Sequence, residues 1–234
     1  MNENMYIIGD VHGCLNTLKA LINKLPTNAK IVFVGDLIDR GSNSAEVIKF
    51  IRDNNYDCVL GNHEYSMIEN GELLLEDPNL IETNIWTNSK YKVGGLDTLR
   101  SYQLFDNLLE RFKDDIEWMK TLPLYLEYTE YKTKENRTLV VSHSCIDDLW
   151  NIRDSNDEFE KEDFQTQVLY SRNKKPLENK DIFNVFGHTP TKEAIVKSYY
   201  ANIDTGAYYK EKYGYLTALE FPTMKLITKK NIEL

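Results

Sequence analysis

Cysteine is scarce in this chain. Cys14, Cys58 and Cys145 are odd in number, widely spaced, and never form a Cys-x-x-Cys pair. That excludes a disulfide framework and a thiolate zinc cage, and reads as reduced thiols in a cytoplasmic protein. Basic clusters are equally short, the longest being Lys174-Lys175 and Lys229-Lys230, and the net charge is −9. Nucleic-acid binding through counterion release needs more clustered cations than this, so no nucleic-acid partner is expected. No stretch approaches the ~20 apolar residues of a membrane span. The polar start from Met1 to Met5 is no signal peptide, so no membrane association is expected. Gly, Ser or Pro never concentrate into a linker, which leaves residues 1–234 reading as one domain.

What is present is a set of apolar runs, each ending in glycine and a polar ligand type. Tyr6-Ile7-Ile8 is closed by Gly9-Asp10-Val11-His12-Gly13. Ile31 to Val34 is closed by Gly35-Asp36-Leu37-Ile38-Asp39-Arg40-Gly41, and Cys58 to Leu60 by Gly61-Asn62-His63-Glu64. Between them lie two amphipathic helices, Cys14 to Leu25 with its leucine face, and one opening at Ser44 with Val47, Ile48 and Ile51 inward. This β-α-β-α-β start predicts parallel strands with crossover helices. A helical insertion follows over residues 65–121, its stripe being Leu108, Leu109, Phe112, Ile116 and Met119. It reads as a cover for the sheet, with Trp86 and Gly94-Gly95 marking a bend near a surface. Beyond it, strands are expected at Leu124 to Tyr131, Leu139 to Ser142, Ile182 to Phe186, Tyr199 to Ile203, Tyr215 to Phe221 and Met224 to Thr228. A helix is expected at Glu158 to Tyr170.

The four histidines, His12, His63, His143 and His188, each stand at or just past the end of an apolar strand. Strand ends of a parallel sheet meet at one rim, where ligands bind, so the four rings are expected to share a crevice. Asp10, His12, Asp36 and Asn62 together offer carboxylate, imidazole and amide oxygen. That mixed N/O set suits Mn²⁺, Fe²⁺ or Zn²⁺. The two oxygens of Asp36 can bridge two cations, and the Arg40 fork suits phosphate. Two cations roughly 3.5–4 Å apart activate a bridging hydroxide for in-line attack on phosphorus. The residues thus point to a two-metal phosphoester hydrolase.

These motifs, with the downstream His143 and Gly187-His188-Thr189, resemble the phosphoprotein phosphatase branch of the calcineurin-like metallophosphoesterases, in the family's order and across almost the whole chain. Trp86 with Gly94-Gly95 and Thr98, and Asp204-Thr205-Gly206, are similar to its bacterial and lambda-type phage members. The resemblance implies an α/β metallophosphoesterase-type sandwich of mixed sheets flanked by helices, with a dimetal site at strand ends. It implies Asp10, His12 and Asp36 on one metal, and Asp36, Asn62, His143 and His188 on the other. It makes His63 the general acid, oriented by Asp39, and makes Arg40 and Arg172 the phosphate clamp. Manganese is the expected metal, with Fe, Zn, Ni or Co as alternatives. A serine/threonine protein phosphatase, acting also on tyrosine, is the favoured activity. A symmetrical diadenosine tetraphosphate hydrolase is the runner-up, and a non-catalytic metal-dependent scaffold is the alternative from another class. The substrate partner is accordingly a phosphoprotein or a small phosphoester.

Several residues carry plainer readings. Glu64 is expected to cap the helix that follows it. Asp204 reads as a turn residue, or else as a partner of a metal-bound histidine. Tyr199-Tyr200 and Tyr208-Tyr209 read as half-buried β residues rather than a stacking platform. Cys145 is no phosphatase nucleophile, because Asn151 stands where a Cys-x5-Arg loop needs its arginine. The family often carries Ala-Gly or Ala-Asp after the histidine where this chain has Ser144-Cys145.

Overall fold

The computed structural model describes residues 4–209, 211 and 213–233, so the first three residues of the polar start lie outside it. β1 (Met5–Ile8), α1 (Leu15–Ile22), β2 (Lys30–Phe33), α2 (Ser44–Asp53) and β3 (Asp57–Cys58) follow the expected alternation. A helical segment comes next: α3 (Asn62–Glu76), a 3-10 turn at Pro78–Glu82, α4 (Gly95–Tyr102) and α5 (Leu108–Lys120). β4 (Tyr125–Lys132), β5 (Thr138–Ser142), α6 (Glu158–Tyr170), β6 (Ile182–Phe186), β7 (Ile195–Val196), β8 (Tyr200–Asn202), β9 (Tyr215–Phe221) and β10 (Lys225–Lys230) complete the chain.

The strands form two five-stranded mixed sheets, ordered β10-β9-β1-β2-β3 and β4-β5-β6-β8-β7. β1 and β2 run parallel, while β9 pairs antiparallel with β1 from Met5↔Phe221 to Ile8↔Ala218. In the second sheet β5, β6 and β8 are parallel. Alternation along each strand decides what faces what. Met5, Ile7, Val32 and Val34 pack against Leu139, Val141, Phe183 and Val185 between the sheets. Tyr6, Ile8 and Phe33 face the other way, onto Leu18, Leu21, Val47 and Ile51 of α1 and α2. Val140 and Ile182 face Phe164 and Val168 of α6. The result is helices, sheet, sheet, helix.

Two expectations are revised. The rim is shared by two stacked sheets and not one, because β9 closes the first sheet beside β1 and β5 starts a second. In α5 only Phe112, Ile116 and Met119 of the expected stripe are buried, whereas Leu108 and Leu109 in the first turn are 41% and 62% exposed. The helix is anchored further along, where buried Asp115 accepts from the Tyr102 hydroxyl at 2.9 Å and pairs with Arg52. No described helix is long and apolar enough to cross a membrane.

Candidate active site

Each expected site residue except Arg172 follows the end of a strand or opens the helix after it. His12, Asp36, Asp39, Arg40 and His188 all adopt positive φ, between 45° and 69°. Such left-handed backbone is costly for residues with a Cβ and persists only where neighbours enforce it. At Asp36 that neighbour is Glu64. Its buried carboxylate accepts the N–H of Gly61, as a helix cap does, and also those of Asp36, Leu37 and Ile38. Burial first, and the Asp36 charge second, push this carboxyl up to about 7. The two sheets meet at Gly187, where a Cβ would lie 1.9 Å from Asp10 Oδ1. That close approach lets Asp10 accept the His188 N–H at 3.1 and 3.2 Å.

Asp36 divides the site. Its Oδ2 lies 3.6 Å from His12 Nε2, and its Oδ1 lies 3.4 Å from His143 Nε2. The His12 Nδ1–H donates to the Ile38 carbonyl at 2.8 Å, and the His143 Nδ1–H to that of Val34 at 2.9 Å. Each ring therefore turns a bare Nε2 toward Asp36. Asn62 Oδ1 sits 2.9 Å from both His143 Nε2 and His188 Nδ1, which are 3.1 Å apart. Burial lowers His12, with Arg40 adding to it; burial also lowers His143, and takes His188 down to about 3. Burial also opposes ionisation of Asp36, but the four surrounding imidazoles outweigh it and hold the carboxylate below its usual range.

His63 belongs to a different set of contacts. Its Nδ1 lies 2.6 Å from Asp39 Oδ2, and its Nε2 lies 2.9 Å from Arg40 Nη2. Burial disfavours the charged ring, yet the Asp36 charge and the Asp39 hydrogen bond overcome that and raise its pKa. Asp39 is fully buried and held by residues of the helical segment. Trp86 Nε1–H donates to both its oxygens at 3.1 and 3.0 Å, and Thr98 Oγ1–H donates to Oδ1 at 2.7 Å. The segment is therefore more than a cover: it completes the site. Trp86 is fully buried against Gly95, so the bend read there is an interior one.

Arg40 spans the cleft, with Nη1 2.8 Å from His12 Nε2. Arg172 lies exposed just beyond α6, and its charge is felt by His143, His188 and Asp204. The unusual turn after His143 helps place it. Ser144 Oγ–H donates to the Gln167 carbonyl at 2.5 Å and accepts the Ser171 N–H at 3.1 Å, tying that turn to the end of α6. Asp204 accepts the Gly206 N–H at 2.8 Å, as a turn residue does. It also crowds Asp10, which burial and the charges of Asp204 and Asp36 push well above the carboxylate range.

This donor set fits divalent cations. His12 Nε2, Asp36 and a third buried nitrogen on His63 lie within 4.8 Å of one another, as do Asp36, His143 and His188. Asn62 Oδ1 and the bare His143 Nε2 turn lone pairs toward each other at 2.9 Å, and Asp10, Asp36 and Asp204 crowd three buried carboxyl groups together. Only positive charge relieves both. His63 groups with the first cluster by distance, but its Nδ1 is held by the Asp39 carboxylate, where His12 and His143 have a backbone carbonyl.

The family model for calcineurin-like phosphoesterases matches residues 4–221. This chain is a calcineurin-like phosphoesterase. Its resemblance to one group of curated relatives extends over nearly the full length. It is 30% identical to the asymmetrical bis(5'-nucleosyl)-tetraphosphatase PrpE of Oceanobacillus iheyensis, covering 95% of this chain and 90% of that one. Among solved structures, a proposed diadenosine tetraphosphatase superposes with a TM-score of 0.65 at 18% identity, over 99% of this chain and 95% of that one. A cold-active protein-tyrosine phosphatase of a Shewanella species gives 0.56 at 18% identity, over 97% and 78%. At that identity the structures speak for the fold alone. As a calcineurin-like phosphoesterase, the protein is a metal-dependent phosphoric ester hydrolase.

Proposed function

We propose that this phosphoesterase hydrolyses bis(5'-nucleosyl) tetraphosphates, cutting the phosphate chain into unequal halves. The observation that carries this is the full-length similarity to the Oceanobacillus tetraphosphatase, 30% identical over 95% of the chain. The protein phosphatase activity favoured by the motifs finds neighbours only at identities that speak for the fold.

Asp10, His12 and Asp36 would hold one divalent cation, and Asp36, Asn62, His143 and His188 would hold a second, with manganese favoured for this N/O set. When bound, the cations supply a nucleophile at neutral pH and neutralise charge on the phosphoryl oxygens. The chain's own groups do the rest. Arg40 and Arg172 hold the phosphoryl group under attack by charge-assisted hydrogen bonds. His63, kept protonated by Asp39, gives its proton to the departing phosphate oxygen. One water is consumed, one P–O–P linkage breaks, and a nucleoside triphosphate and a nucleoside monophosphate leave.

The manganese-loaded protein, offered diadenosine tetraphosphate and a phosphoserine peptide side by side, is expected to favour the tetraphosphate at least tenfold in kcat/KM. Anion-exchange analysis should show ATP and AMP. Two equivalents of ADP would assign the symmetrical cut instead, and a preference for the peptide would overturn the proposal.

A further inference from the structure

The connection from β8 to β9 sets a row of aromatic rings beside the phosphate-holding Arg40. Arg40 Cζ lies 5.7 Å from the centre of the Tyr208 ring, and His12 meets that ring edge-on at 6.3 Å. Tyr209 packs on Tyr208 at 4.8 Å, and Tyr213 on Tyr209 at 5.2 Å. Tyr208 is half-buried and Tyr209 is 37% exposed. Neither lies in a strand, so the half-buried β reading of this pair is replaced by a turn at the mouth of the site.

The backbone of that turn is held on both sides of Tyr208. Gly206 has φ +67°, and a Cβ there would meet Tyr213 Cβ at 2.6 Å and Tyr209 Cδ2 at 2.9 Å, so glycine is what lets the two rings close over it. The Gly206 carbonyl accepts the N–H groups of Tyr209 and Gly214, each at 2.9 Å. From the opposite side, Asn231 Nδ2 donates to the Ala207 carbonyl at 2.7 Å. The backbone on both sides of Tyr208 is thus tied down, with the Tyr209 ring tilted 55° against it and Tyr213 tilted 59° against Tyr209.

We propose that Tyr208 is the platform on which one nucleobase of the substrate stacks, a reading that rests on the tetraphosphatase proposal. A nucleotide offers what this corner is shaped to accept: an anion for Arg40 and, one ribose away, a flat π face for the tyrosine. The shortest bridge between the two is the phosphate that carries the nucleoside. Attack near that phosphate gives unequal products, in keeping with the cut proposed above. The competing role is purely local, with the ring steering Arg40 by cation–π contact.

The test compares Tyr208→Leu and Tyr208→Phe with wild type on diadenosine tetraphosphate, with AMP and inorganic phosphate as inhibitors. Stacking of one base is worth roughly tenfold or more in affinity. Tyr208→Leu should therefore raise KM more than it lowers kcat, and should weaken inhibition by AMP about tenfold more than inhibition by phosphate. Tyr208→Phe keeps the π face and should stay within about threefold of wild type. Equal loss of AMP and phosphate binding would make Tyr208 a positioning residue for Arg40 and overturn the inference alone. A phenylalanine variant as poor as the leucine one would do the same. Wild type that leaves the tetraphosphate uncut would overturn the functional proposal itself.

Discussion

A carboxylate 2.6 Å from an imidazole, both buried, is the smallest unit with a chemical task here. Asp36 and Asp39 raise the His63 pKa against the effect of burial. In the folded protein the ring therefore keeps its proton to a higher pH than a free histidine, whose pKa is near 6.5. The sign for stability follows: the contribution is full below about pH 6.5 and is lost as pH rises through the folded value. Activity is expected to fall on the same alkaline side, and Asp39→Asn should move that limb of the kcat profile to lower pH. His63→Asn should lower kcat by roughly 10²–10⁴ on an alkyl phosphate, whose leaving alkoxide needs the proton. On the tetraphosphate the loss should be about tenfold or less, since a departing phosphate group has a pKa near 6 and leaves readily as an anion. Equal losses on both substrates would separate His63 from leaving-group protonation. Metal content should not change in this variant. At this scale much was legible, because Asp10, His12, Asp36, Asn62 and His63 sit in short motifs at the ends of apolar runs. The second task of Glu64 was not, because its four N–H partners come from two loops that meet only in space.

Among the elements, the helical segment between β3 and β4 diverges most from its sequence reading. Past His63 it contains no histidine, and so residues 65–121 read as cover. Trp86 and Thr98 nevertheless supply every side-chain donor that Asp39 has besides His63 among the described residues. Thr98 also accepts the Asp39 backbone N–H at 2.9 Å. Thr98→Val preserves the shape and removes both interactions. It should cost about 1–3 kcal/mol in urea unfolding, the usual range for leaving a buried polar group short of partners. It should also lower kcat several-fold with little change in KM. Unchanged kcat would show that Trp86 alone suffices to hold Asp39. A threonine inside an amphipathic helix gives no signal of such a role, since its partner is distant in sequence. Strands were easier to read: Ile182–Phe186 and Tyr215–Phe221 stand where their apolar runs place them. β7, two residues long, is too short for alternation to register.

Across the whole molecule, the site lies where two sheets abut, and its groups come from both. Asp36 and Asn62 belong to loops of the first sheet, and His143 and His188 to loops of the second. A cation held between them binds the folded chain and not the unfolded one. Manganese at a hundred times its Kd should therefore add about 2.7 kcal/mol, or roughly 5–10 °C in Tm for a chain of this size. A chelator should remove that gain, and Asp36→Asn should abolish most of it along with ester cleavage. A manganese-independent Tm in wild type would contradict the assigned ligands. The α/β sandwich was legible from its β-α-β-α-β start. The division into two sheets came only through the family resemblance, because in the residues themselves it depends on β9 returning to pair with β1.

The hydrogen bond from His188 to Asp10 joins groups 178 positions apart. During synthesis, then, a ribosome that has released the first two motifs has made nothing able to cleave a phosphoric ester. Catalysis waits until the loops carrying His143 and His188 have emerged and β9 has taken its place beside β1.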